Sequence, residues 1–447
     1  MLQRSLDPLS RPFDDELDAL LSRFKRGRAV EVDFRELVGN SSASDRFTHR
    51  FHPYPAKLLL NIPLFFLNCS QLMQPGATVY DPFCGSGTVL VEGLVRGAVV
   101  QGADSNPLAR LITSAKTTLL SEEVVDAGLD FIWSNLPRRK SSPPEGSVNL
   151  ERWFGDKALS QLSRLGRALE AMPEGPAERF FKACYSAVVF RVSLTDPTVP
   201  VPVRINARKT SLTSQQRKMR RLWLLERSAA DVFACFELLV EENFERLKRL
   251  AEQCSEPRVS LFDDARTALG EDCVDLIITS PPYGSAQKYI RASSLSLQWL
   301  GLARSGLRDL ERRSIGREHF NSSERSEIDV PVPSAKALLA KIGKVNPLRQ
   351  HIAGSFLLEM RDALSRSCRR LRPDGHLVMI VGNNTVCGYV FDTQRYLTEI
   401  CQELGLDLTL RLEDRIRSRG LITKRHNTAG LISKETILLF KKRCQNV

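Results

Sequence analysis

Residues 77–104 read ATVYDPFCGSGTVLVEGLVRGAVVQGAD, and the order of apolar, glycine and acidic positions within them decides the fold. Ala77 to Asp81 is a short apolar run that follows the Pro75-Gly76 turn, which is the pattern of a buried strand. A glycine-rich turn comes next, then a helix-forming run from Thr88 to about Arg96 that Gly97 stops. A second strand, Val99 to Asp104, follows. Asn106-Pro107 then opens another helix, with proline in the first turn where its missing N–H costs nothing. Strand, turn, helix, strand is the opening of a doubly wound α/β sheet.

The turn itself, Asp81-Pro-Phe-Cys-Gly85-Ser-Gly87-Thr88, carries chemistry as well as shape. Glycines there allow positive φ and let a ligand approach the backbone, while the start of the helix offers unpaired N–H groups to an anion. The second strand ends in Asp104, where such folds hydrogen-bond a ribose diol. The second glycine is not followed by the Lys-Ser/Thr pair of a phosphate-binding P-loop. On chemistry alone, a bound nucleoside and a merely structural turn both stay open.

Outward from this unit, 13–25 (FDDELDALLSRFK) has the spacing of an amphipathic helix. The stretch 47–67 (FTHRFHPYPAKLLLNIPLFFL) is expected to be extended or turn-like from His52 to Lys57 and to enter a helix near Ala56. Strand and helix alternation stops between about Leu120 and Pro257, where the periodicity is helical. It resumes with strands Val259–Phe262 and Val274–Thr279, the latter running into SPPYG. Gly306 to Val345 is polar and proline-punctuated and reads as a long loop. Three more strands are expected at His376–Val381, Leu406–Leu412 and Glu435–Lys441, the last two bracketing a basic loop. The domain division is therefore an N-terminal helical extension over 1–40, a main domain from 41–120 and 257–447, and a helical insertion over 121–256 as candidate target-recognition region.

Ser280-Pro281-Pro282-Tyr283 stands at the C-terminal end of an expected central strand, where open α/β sheets bind their ligands. An exocyclic amine on a nucleobase is a poor nucleophile, because its lone pair is delocalised into the ring. A hydroxyl and a backbone carbonyl that accept from both of its N–H groups favour the pyramidal, reactive nitrogen. Ser280 and the Pro281 carbonyl suit that task. The prolines hold the chain extended and free of competing N–H donors, and Tyr283 offers a ring to stack on an extruded base. A proline-stiffened turn would explain PPY by itself; the glycine turn and Asp104 are what weigh against that reading.

DPFCGSGT followed by GADSNPLA resembles motif I and the following acidic motif of the amino-methyltransferases that act on DNA, HPYPAK resembles their motif X, and the tetrapeptide is that of their SPPY type. The likeness spans roughly Phe47 to Lys116 and Val259 to Lys441. It implies a Rossmann-like class I methyltransferase sheet with a helical insertion, and S-adenosylmethionine as cofactor. Asp81, Phe83, Gly85 and Gly87 would surround the methionine end, Lys57 would pair with its carboxylate, Asp104 would hold the ribose and Asp264 the adenine amine, with Asp263 as competitor. Enzymes of this type with SPPY more often modify cytosine N4, and adenine N6 remains the alternative. Here the catalytic motif follows the glycine motif, whereas many SPPY enzymes have the reverse order, so the usual place of the target-recognition region does not transfer. An RNA guanine-N2 methyltransferase resembles this motif order but carries DPPY and an RNA-binding domain. Enzymes acting on protein glutamine usually show NPPY, and a DNA-binding module without activity would not need both halves of the site.

The 447 residues carry a formal charge of +12 and a pI near 9.3, which favours a polyanionic partner, here double-stranded DNA, without excluding acidic small molecules. Val203 to Arg221 holds Arg204, Arg208, Lys209, Arg217, Lys218, Arg220 and Arg221 with no acidic residue. A second basic cluster holds Arg415, Arg417, Arg419, Lys424, Arg425 and His426. Either can hold phosphates or be a solvated face. The ten cysteines are dispersed, with no CxxC pair and no histidine at ligand spacing, so reduced thiols and no metal are expected. No signal-peptide core and no membrane-length apolar run is present, which suggests a cytoplasmic, nucleoid-associated protein. A companion restriction nuclease or other defence component is compatible with this reading.

Overall fold

The computed structural model describes residues 11–24, 28–39, 46–55, 57–139, 141–254, 256–284, 289–321, 324, 328–415 and 434–444. Its strands are β1 (Val30–Val32), β2 (Thr78–Asp81), β3 (Val99–Ala103), β4 (Val259–Phe262), β5 (Val274–Thr279), β6 (Leu371–Val381), β7 (Asn384–Val386), β8 (Tyr389–Phe391), β9 (Leu406–Arg415) and β10 (Lys434–Lys442). Eight of them form one sheet in the order β1-β9-β10-β6-β5-β2-β3-β4, while β7 and β8 make a small hairpin. Every pairing in the large sheet is parallel except those of β10, which runs antiparallel between β6 and β9. This is a Rossmann-like, doubly wound sheet with one antiparallel strand. Its order reverses at β2 and β5, which places the crevice for a ligand at the ends of those two strands.

Helices cover both faces, so the strands read as nearly continuous apolar runs. Leu276, Ile278, Val378, Ile380, Ile437 and Leu439 face a core closed by α1 (Asp14–Arg23), α2 (Phe34–Val38), α3 (Asn61–Leu67) and α4 (Thr88–Val95). Their neighbours Ile277, Leu377, Met379, Leu438 and Phe440 face the opposite core. This period-2 alternation fixes the register, since a slip of one residue would exchange the faces. From β3 the chain enters α5 (Pro107–Thr117) and then α6 (Glu122–Ser134), α7 (Asp156–Glu170), α8 (Pro176–Val192), α9 (Ser214–Ala229) and α10 (Val232–Ala251) before returning at β4. Apart from α9, these helices share a third core around Phe180, Phe181, Leu165 and Phe236. Ala115 of α5 and Leu295 and Trp299 of α11 (Tyr289–Trp299) join it, so the helical layer is seated on the sheet domain. The chain then continues through α12 (Leu307–Arg313), α13 (Pro333–Val345), α14 (Pro347–Arg370) and α15 (Thr393–Glu403).

Three expectations need correction. The helix expected near Ala56 starts at Asn61, because Pro63 is tolerated only in a first turn and so sets where the helix can begin. The segment 306–345 is not one loop: it carries α12 and α13, and in α13 Ala335, Leu339 and Ile342 recur at helical spacing and are buried. The N-terminal extension is not only helical. Val30–Val32 adds an edge strand parallel to β9, too short for periodicity to reveal. Among the described residues no disulfide joins the cysteines, no group of three or more His, Cys, Asp or Glu is placed to hold a metal ion, and no helix is long and apolar enough to cross a membrane.

Candidate active site

The glycine turn leaves β2 at its C-terminal end. Gly85 and Gly87 take φ of +50° and +74°, and a Cβ on Gly87 would lie 2.8 Å from Thr113 Cγ2. Thr113 sits there because its hydroxyl donates to the Gly85 carbonyl at 3.0 Å. Lys116, one turn further along α5 and fully buried, donates from Nζ to the Ser86 carbonyl at 2.6 Å. The turn is thus held from behind by α5, with its open side toward β5. Phe83 N–H donates to Asp81 Oδ1 at 3.0 Å. The Asp104 carboxylate accepts from Gly85 N–H at 3.0 Å and Asn106 N–H at 2.8 Å, which ties the end of β3 to the turn.

Burial pushes the Asp81 carboxyl up to about 7, opposed by its hydrogen bonds from Thr279 and Phe83. Burial likewise pushes Asp104 up to about 6, against the pull of its two backbone donors. The Asp104 charge adds to the rise at Asp81. Two adjacent carboxyls that ionise reluctantly form a place for a cation. The residues fit S-adenosylmethionine on that ground: Asp104 retains lone pairs for a ribose diol, and the Gly85 surface faces the Tyr54 ring, with a Cβ there 3.7 Å from Tyr54 Cε1.

Strands β2 and β5 are direct neighbours, so the tetrapeptide lies beside the turn. Thr279, the residue before Ser280, donates to Asp81 Oδ1 at 2.7 Å and joins the two segments through a buried contact. Pro281 is buried, whereas Ser280, Pro282 and Tyr283 are partly exposed. Burial holds the Tyr283 phenol well above its ordinary range, so it stays neutral, and its hydroxyl meets the Ser280 side chain and donates to Glu435 Oε1 at 3.4 Å. Gly284 allows the next approach: a Cβ there would stand 2.9 Å from the Phe356 ring, and Asn384 Nδ2 donates to its carbonyl.

The segment resembling motif X closes the other side. Asn106 Nδ2 donates to Tyr54 Oη at 3.1 Å and to Ser293 Oγ at 3.2 Å, which joins that segment, the end of β3 and α11. His49 and His52 are held neutral by burial, at about 4 and about 3, and contact Glu92 at 2.7 Å and Ser186 at 2.9 Å. Lys57 Nζ donates to the carbonyls of His49 and His52 at 2.8 and 2.6 Å, so the lysine braces this segment. Asp264 is bound by its near neighbour Arg266, with contacts of 2.9 Å from Nε and 2.5 Å from Nη2. Asp263 projects into solvent with its side chain 86% exposed and pairs with Arg110 at 3.1 Å.

The structure brings together Asp81, Phe83, Gly85, Gly87, Asp104 and the tetrapeptide. It also divides the basic segment 203–221. Arg220 is tied to the buried Asp196 at 2.6 Å, while Arg217, Lys218 and Arg221 line a shallow cleft of about 340 Å³ with Ser214 and Leu222. No residue of α9 is buried. Arg417, Arg419 and Lys424 lie outside the described residues. Sequence reasoning missed Tyr54, Thr279, Asn106, Thr113 and Glu435 as parts of the site. Asn106, before a first-turn proline, and Tyr54, inside HPYPAK, carried local signals; the others act through contacts distant in sequence.

A family model described as an RMKL-like methyltransferase domain matches residues 48–164. The chain is 23% identical over 421 residues, 88% of its own length and 91% of the other, to the Type II methyltransferase M.MvaI of Kocuria varians. Among solved structures it is similar to one described as a putative DNA modification methylase from Thermus thermophilus, complexed with S-adenosyl-L-methionine. That match has 19% identity and a TM-score of 0.21, covering 41% of this chain and 54%, about half, of the other. A TehB-like SAM-dependent methyltransferase from Corynebacterium glutamicum matches over 83% of this chain and 82% of its own, with 10% identity and a TM-score of 0.25.

Proposed function

We propose that this chain, a class I methyltransferase that uses S-adenosylmethionine, methylates the exocyclic amino group of a base in double-stranded DNA, with cytosine N4 the preferred target and adenine N6 the alternative. The observation that carries the reading is the junction of the glycine turn and the tetrapeptide through Thr279 and Asp81 at 2.7 Å, which sets a cofactor cradle against an amine-accepting loop. The similarity to M.MvaI over nearly the whole chain supports DNA as the substrate.

S-adenosylmethionine supplies an electrophilic methyl group on a sulfonium. Asp104 would accept hydrogen bonds from its ribose hydroxyls, and the turn from Asp81 to Gly87, with Phe83, would hold its methionine end. The electrostatics support this assignment, because a cationic ligand favours the ionised forms of Asp81 and Asp104 that burial disfavours. Lys57 and Asp264 are the residues offered for the methionine carboxylate and the adenine amine. Lys57 Nζ donates to the carbonyls of His49 and His52 and Asp264 pairs with Arg266, so each assignment entails exchange of those contacts.

The base is taken out of the duplex, since its amine is out of reach inside the stack. Ser280 Oγ and the Pro281 carbonyl accept hydrogen bonds from the two amine N–H groups and so favour the pyramidal nitrogen with its lone pair free for attack. Pro282 keeps the loop free of a competing N–H, and Tyr283 stacks on the ring. Because the amine can lose its proton after transfer, the site needs no strong base before attack. The preference for cytosine rests on Ser280; both bases present a similar N–C–NH2 edge, and the pocket walls decide between them. Arg217, Lys218 and Arg221 on α9 hold the DNA backbone, and a cognate nuclease remains compatible with the reading. A transfer assay with labelled cofactor on DNA, RNA and protein tests it: label in DNA is expected, and label only in RNA or protein would refute it.

A further inference from the structure

The hydroxyl of Tyr283 ends on a carboxylate that the proposed reaction does not use. Glu435 lies at the start of β10, and because β10 is antiparallel that end meets the same edge of the sheet at which β5 delivers Ser280. Across the ladder Glu435 pairs with Asp414 of β9. Asp414 is 2% exposed, and its Oδ1 has no hydrogen-bond partner among the described residues. Arg35 of α2 and Asp33 are the other charged groups that face this pair. Two acidic residues opposite each other on adjacent strands destabilise a sheet. The side chains that follow on the same face, Ile437 and Leu439, are apolar, so a leucine at 435 would serve the fold better. Stability therefore does not account for Glu435. The contact it makes toward the site does.

We propose that Glu435 is a positioning residue: by accepting from Tyr283 Oη, which also meets the Ser280 side chain, it locks the tyrosine ring in the plane required for stacking on the extruded base. This inference rests on the reading of the tetrapeptide given above. An aromatic side chain with a free hydroxyl would rotate about its χ angles, and a polar handle anchored by these contacts removes that freedom. The Asp414 carboxylate behind Glu435 disfavours its turning away into the sheet edge. Burial raises Asp414 to about 6 and raises Glu435 in the same direction, as expected for a carboxylate pair kept for a purpose other than stability.

The test is a double-mutant cycle with Glu435→Leu and Tyr283→Phe, plus Glu435→Gln as the conservative variant, measured as kcat for DNA methylation, KM for DNA and cofactor dissociation constant. Each of the first two is expected to lower kcat by about tenfold, the scale of one lost hydrogen bond. Cofactor binding should stay unchanged, and the double variant should be no slower than either alone. Glu435→Gln, whose amide oxygen still accepts, should restore most of the rate. Multiplicative losses in the double variant, or full kcat in Glu435→Leu, would overturn the inference. If Glu435→Leu failed to fold, Tyr283→Phe with Glu435→Gln would decide it, since a fully active Tyr283→Phe enzyme removes the role of the hydroxyl. A wild-type protein that transfers no methyl to DNA in the same assay would instead overturn the reading on which the inference rests.

Discussion

Replacing Arg217, Lys218 and Arg221 together by glutamine tests the proposed DNA-binding role of α9 separately from the fold. These three line one exposed cleft on α9, whereas Arg220 between them is spent on Asp196, whose residue is 2% exposed. Each phosphate contact contributes about 0.9 to the slope of log binding constant against log salt concentration, so losing three should flatten it by about 2.7. Affinity should fall for every DNA sequence alike, because phosphate contacts carry no base information. Arg220→Gln should behave in the opposite way. Its loss leaves Asp196 buried without its ion pair and costs on the order of 3 kcal/mol of stability, with the salt slope unchanged. Fluorescence anisotropy of a labelled duplex across a salt series gives the slopes, and denaturant unfolding gives the stabilities. A triple variant with the wild-type slope would refute the assignment of α9 to DNA, and an Arg220 variant that loses as much slope as the others would refute the division among them.

Gly87→Ala combines a positive φ with a Cβ 2.8 Å from Thr113, so a loss of roughly 1 to 3 kcal/mol in unfolding free energy is expected, together with weaker cofactor binding by calorimetry. Asp104→Ala should weaken cofactor binding by about 1.5 to 3 kcal/mol, the value of hydrogen bonds to a charged group. Asp81 and Asp104 have folded-state values of about 7 and about 6, above those of an unfolded chain. The folded, cofactor-free protein therefore holds more protons than the unfolded one. Their stabilising contribution is complete below about pH 4 and is lost as pH rises to about 7, while cofactor affinity rises across the same window, both measurable by titration at about pH 5 and about pH 8.

The sheet was legible because its signals are local. Ala77 to Asp104 contains a strand, a glycine turn, a helix and a second strand in succession, and the seven main-sheet strands expected all occur within a few residues of their expected bounds. The tetrapeptide and Asp104 were legible as motifs for the same reason. What joins them was not. The Thr279–Asp81 contact spans 198 residues and the Tyr283–Glu435 contact 152, and no pattern of periodicity announces a hydrogen bond across the sheet. The edge strand Val30–Val32 is three residues long and takes its structure from β9 rather than from itself. In the segment 306–345, polar composition masked the buried Ala335, Leu339 and Ile342, which decide that α13 packs. Arg220 looked equivalent to its neighbours until the buried Asp196 distinguished it.

The central claim is tested most directly by incubating the protein with S-adenosylmethionine and double-stranded DNA, digesting the DNA to nucleosides and identifying the methylated one by mass spectrometry. N4-methylcytosine is predicted, with none from Tyr283→Ala although that variant still binds the cofactor. N6-methyladenine would change the base and keep the site. Methyl groups found only on RNA or protein, or a fully active Tyr283→Ala enzyme, would contradict the account.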